Sequence, residues 1–157
     1  MLSSRWTAAT SIRASIVATW VGIALAAVVA AALPATLDQF IRAEAGLVAD
    51  TWFREVIAPL YLCLAAGLAA LIILLRLLGA LARDEVFTLD NVRRLRGISY
   101  CGVVIAITLA LTAIFVGPWP IFAGVAAVAA FLALIMRVIK NVIDAARLIK
   151  EDNDYTI

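Results

Sequence analysis

Long apolar runs separated by short polar stretches organise this chain. The first, at about 14–36, follows Arg13 and carries no charged residue. About 20 helical residues cross the roughly 30 Å hydrocarbon layer of a bilayer, so the run predicts a membrane-spanning helix. Arg5 and Arg13 precede it as they would precede a signal peptide, and Ala30-Ala31-Ala32 resembles a cleavage site. Its apolar length exceeds the roughly 7–15 residues of a signal, which favours a retained anchor. The second run, about 56–78, is uncharged up to Arg76, whose long stem can carry its charge to the interface. Counted from the start of that run, Pro59 falls in the first turn, where its missing N–H costs little. The block 97–136 is again uncharged. As a single helix it would measure about 60 Å, twice the hydrocarbon thickness. Gly117-Pro118-Trp119-Pro120 divides it, because two prolines in three residues cannot sit inside a regular helix. The block therefore predicts two spans, about 98–116 and 121–140.

Three polar segments connect or extend the spans. The outer loop, 38–55, carries Leu37, Phe40, Ile41, Leu47, Val48, Trp52 and Phe53 at or beside it, at roughly helical spacing. Such a segment suits the membrane surface, with Trp52 at headgroup depth. The inner loop, 79–97, includes RDEVFTLDNVRRLRG from Arg83. Thr88 is a good N-cap for a helix beginning at Leu89, Asp90 complements its dipole, and Phe87 with Val92 fits a hydrophobic staple. That helix runs straight into the third span. Beyond the fourth span, 141–157 reads as an amphipathic helix and tail. Val138, Ile139, Val142, Ala145, Ala146 and Ile149 form one stripe, opposite Arg137, Lys140, Asp144, Arg147 and Glu151. The stripe needs a cover: the 83–97 segment, a second copy, or another protein.

Composition agrees with a lipid-embedded chain. Of 157 residues, 66% are apolar and 15% charged, against about 45–50% and 25% in soluble domains. One domain is expected, of all-α class: an integral membrane four-helix bundle. Arginines and lysines set its orientation. Arg5, Arg13, Arg76, Arg83, Arg93, Arg94, Arg96, Arg137, Lys140, Arg147 and Lys150 fall on one side if both termini share it, against Arg42 and Arg54 on the other. That bias predicts N-in/C-in topology, with a cytoplasmic extension of the fourth helix.

Candidate chemistry is thin. Histidine is absent, which removes the commonest general base and metal ligand. No nucleophile motif, metal-ligand spacing or phosphate loop occurs, so no enzyme, cofactor or metal is expected. Cys63 and Cys101 read as small apolar residues separated in depth by roughly 15 Å, too far for a disulfide. Apart from Arg76, Arg137 and Lys140 at their ends, the spans contain no charged residue of the kind that marks an ion path, and Thr108 and Thr112 are the nearest thing to a polar stripe. Gly102/Ala106/Ala110 and Ala18/Gly22/Ala26 would permit close helix approach. Arg76, Arg96, Arg137 and Lys140 are candidates for lipid headgroups, and membrane lipids are the first expected partners. A net charge of +2 and one short arginine cluster do not point to direct nucleic-acid binding.

The loop VFTLDNVRRLRGI and the terminal EDNDYTI together resemble a bacterial family of small four-span membrane proteins, the YoaS-like domain of unknown function. Phe87, Asn91, Arg94 and Leu95 match its loop pattern. Asn153, Asp154, Thr156 and Ile157 match its tail, and Tyr155 departs from the usual aliphatic residue. Genes of that family often neighbour a small helix-turn-helix regulator, so the resemblance implies a regulatory partner in the cytosol. Phe87, Asn91, Arg93, Arg94, Arg96, Asn153, Asp154, Thr156 and Ile157 are accordingly the candidate partner-binding residues. The leading expectation is a membrane-anchored interaction or regulatory protein. The alternative is a homo-oligomeric small transporter, channel-like or lipid-binding membrane protein.

Overall fold

The computed structural model describes residues 8–44, 49–83, 88–115 and 120–154. Every element among them is an α-helix: α1 Ala8–Glu44, α2 Ala49–Leu81, α3 Leu89–Phe115 and α4 Pro120–Asp154. Each is long and apolar enough to cross a membrane. Pro120 opens α4, a position where the missing N–H would be unpaired in any residue.

The helices run further than the apolar spans. Residues 38–44 belong to α1 and 49–55 to α2, so helix continues on both sides of 45–48. The helical spacing of apolar residues through this segment outweighs its polarity. Because α2 starts at Ala49, Pro59 lies inside the helix and not in its first turn. The expected depths of the cysteines also need correction. Cys63 Sγ sits 4.0 Å from the carbonyl oxygen of Ile105, only four residues from Cys101. That is about 6 Å of axial offset at 1.5 Å per residue, not 15. The reason is that α2 runs on to Leu81 while α3 starts at Leu89, which carries Cys101 deeper. Both thiols are free.

Packing follows chain order. Among the described residues α1 touches α2, α2 touches α3 and α3 touches α4, with no contact between α1 and α4. The bundle is therefore open along one side. Neighbours are antiparallel: Arg94 meets Arg76, Gly97 meets Ile73 and Cys63 meets Ile105 along the α2–α3 seam. The tightest packing is where α2 ends and α3 begins, at Leu77, Ala80, Asn91, Val92 and Leu95. Gly102 brings α3 and α4 so close that an added Cβ would stand 3.0 Å from the Ala133 Cβ. Most other large apolar side chains are exposed, including Val17, Leu25, Ile107 and Phe131. A soluble protein could not carry that surface, and lipid tails cover it without cost.

Pro34, inside α1, creates a local debt that α2 settles. Proline has no N–H to give the carbonyl four residues back. That carbonyl belongs to Ala30, and the Tyr61 hydroxyl of α2 donates to it at 3.0 Å. In hydrocarbon an unpaired carbonyl costs several kcal/mol by order of magnitude, so Tyr61 both completes α1 and ties it to α2.

Candidate functional site at the arginine-rich end

One end of the molecule gathers the start of α1, the end of α2, the start of α3 and the end of α4. Arg13, Arg76, Arg83, Arg93, Arg94, Arg96, Arg137, Lys140 and Arg147 all lie there, whereas Arg42 and Arg54 fall at the opposite ends of α1 and α2.

The α2–α3 corner is built around Asn91. Thr88 caps α3: its Oγ1 accepts the Asn91 amide at 3.4 Å, and Asp90 follows in the first turn. Asn91 is 1% exposed, and its Oδ1 accepts from Arg94 Nη1 at 3.0 Å. The same Nη1 donates to the carbonyl of Arg76 at 3.2 Å. That carbonyl lies near the C-terminus of α2, where a cation also meets the negative end of the helix dipole. Asn91 and Arg94 thus fasten α2 to α3, and they shape the corner from within. Arg93 and Arg96 are exposed. Asn153 and Asp154 close α4; their side chains, and Phe87, Thr156 and Ile157 altogether, lie outside the described residues.

Between α3 and α4 the cations converge on a cleft. Arg96, Ser99, Tyr100, Arg137 and Lys140 line a depression of about 190 Å³. Arg96 and Tyr100 are one helical turn apart on α3, and Arg137 and Lys140 one turn apart on α4, so each pair shares a face. Ser99 Oγ donates to the carbonyl of Ala133 at 3.0 Å, which fixes the seam beneath them. Of the four lipid-headgroup candidates, three meet here. Arg76 does not line the cleft. Tyr100 was missing from the set, although its position four residues after Arg96 already placed it beside that arginine.

The model of a family described as a protein of unknown function (DUF2975) matches residues 29–157. The chain belongs to this family. The match takes in all of α2, α3 and α4, and the second half of α1 from Val29. Every site residue named above except Arg13 lies within it. Comparison with curated proteins and with solved structures gave no match.

Farther down α4 the helix outlasts the membrane. Its 35 residues measure about 52 Å, so roughly 20 Å project past a 30 Å hydrocarbon layer. On that projection Asp144 and Arg147 are half-buried, and their side chains pair at 3.5 Å. Val138, Val142 and Ile149 point outward, more than 60% exposed. Asp144 and Arg147 are turned in, whereas Val142, Ala145 and Ile149 are turned out. Residues 88–97 leave that outward face exposed.

Proposed function

We propose that this protein is a membrane-anchored interaction protein that binds a cytosolic partner, such as a helix-turn-helix regulator, at its arginine-rich end. The observation that supports this reading is the outward apolar stripe of Val142, Ala145 and Ile149 on the projecting part of α4. A helix that shows its apolar face to water lacks a cover, and a partner's helix laid along it supplies one. The N-in/C-in orientation, proposed from the arginine and lysine bias, puts the stripe in the cytoplasm of a bacterial cell.

The test is co-purification of the regulator with tagged full-length protein from membranes, against the same chain cut after Lys150 and against Val142→Glu/Ile149→Glu. Full-length protein should retain the regulator, and the double substitution should lose at least tenfold of it. Equal recovery from all three forms, or none from any, removes the docking role.

A second reading, a lipid-binding or transporting oligomer, gains support from a different observation: the depressions between the helices. One, about 360 Å³, opens between α1 and α4 and is lined by residues of all four helices, among them Val29, Leu60, Leu109 and Phe122. Its walls are apolar, which suits lipid better than an ion or a polar solute.

A further inference from the structure

The basic cleft does not stand alone. A second depression of about 280 Å³ adjoins it on the same α3–α4 face and shares two of its walls, Ser99 and Arg137. Its remaining lining is apolar and includes Val103, Ile107, Ala130 and Leu134. Helix periodicity makes the two continuous. Arg96, Tyr100, Val103 and Ile107 form one stripe along α3, and Ala130, Leu134 and Arg137 form one along α4. The close approach at Gly102 and the Ser99–Ala133 bond seal the floor. The groove therefore opens outward, where Val103, Ile107 and Leu134 are exposed.

We propose that this composite site holds one anionic phospholipid. The phosphate sits among Arg96, Arg137 and Lys140 with the Tyr100 hydroxyl as a further donor, and an acyl chain lies along Val103, Ile107, Ala130 and Leu134. Three arguments select that occupant. Among the described residues the polar cleft presents three cations and no carboxylate, and Asp144, one turn beyond Lys140, is already paired with Arg147. The Ser99 proton is committed to Ala133, so the cations and Tyr100 are the donors left for a ligand. Depth also fits. Arg96 lies about 29 Å along α3 from Phe115, and Arg137 about 26 Å along α4 from Pro120, which is headgroup height for both. A free anion would fill only the cleft. A phospholipid fills cleft and groove together, and in a membrane-spanning chain both face the medium that supplies it.

The full-length protein in neutral detergent is titrated with short-chain fluorescent phosphatidylglycerol and phosphatidylcholine. Phosphatidylglycerol should bind at least tenfold more tightly. Arg137→Gln and Lys140→Gln should each weaken it about fivefold, equivalent to about 1 kcal/mol, and Arg137→Lys should restore most of that loss. Arg93→Gln removes an exposed cation of the same end outside the cleft, and should change affinity less than twofold. Ala130→Phe fills the groove without touching a charge, and should weaken the lipid while leaving competition by glycerol phosphate unchanged. Equal binding of the two lipids, or equal loss with Arg93→Gln, overturns the proposal. So does inorganic phosphate that competes as tightly as the whole lipid, which would mark a soluble-anion site.

Discussion

At the scale of single residues, polar side chains in this molecule serve the backbone before they serve any ligand. Thr19 donates to the Ser15 carbonyl at 2.7 Å and Thr112 to the Thr108 carbonyl at 2.9 Å. In the Thr108/Thr112 pair, the nearest thing to a polar stripe in the sequence, the Thr112 hydroxyl is thus bonded to the backbone. Tyr61 is the most consequential case, because the carbonyl it serves was orphaned by a proline on another helix. Tyr61→Phe keeps the ring and removes only the donor. It should destabilise the protein by about 1 kcal/mol, read as a lower unfolding temperature in detergent. An unchanged temperature would mean that water or lipid satisfies Ala30 equally well. The Tyr61–Ala30 pairing was not legible in the sequence. Pro34 announces a free carbonyl, but only the α1–α2 register says which side chain reaches it. The N-cap at Thr88 was legible, because its signature lies within four consecutive positions. Asn91 was legible as a notable residue and misleading as a surface one, since a conspicuous polar residue in a loop pattern gives no sign of being buried.

At the scale of helices, small residues set spacing only where a neighbour makes use of them. Gly22 and Gly102 belong to similar-looking stripes. An added Cβ at Gly22 would meet only flexible Leu71 side-chain atoms at 3.6 Å, whereas at Gly102 it would meet the Ala133 Cβ at 3.0 Å. Gly102→Leu should therefore part α3 from α4, break the Ser99–Ala133 bond and lower the unfolding temperature strongly. Gly22→Ala should be nearly neutral. Comparable losses for the two would deny the α3–α4 seam its special closeness. The number and type of helices were legible because apolar runs of span length, broken by Gly-Pro-Trp-Pro, leave few alternatives. Helix limits were less so: 38–44 and 49–55 look like loop by charge and are helix by spacing. The cleft was legible in part. Charge at span ends named Arg96, Arg137 and Lys140, but convergence of two helices on one depression is a tertiary fact.

At the scale of the whole molecule, charge distribution and topology agree. The up-and-down path brings the arginines and lysines of four helices to one end. The proposed orientation predicts that a fluorescent reporter fused after Ile157 lights up in the cytoplasm, and that a periplasm-dependent enzymatic reporter at the same site stays inactive. The opposite pair of results would invert the molecule, and with it the compartment of the exposed α4 stripe.

Among the described residues each helix touches only its neighbours in the chain, and this bears on how the protein is made. A ribosome delivers these segments in the order in which they pack, so each can settle against one already in the bilayer, without waiting for a distant stretch still to be translated. A closed ring would need the last helix to find the first. Here α4 has to recognise only α3, and its insertion can keep pace with translation.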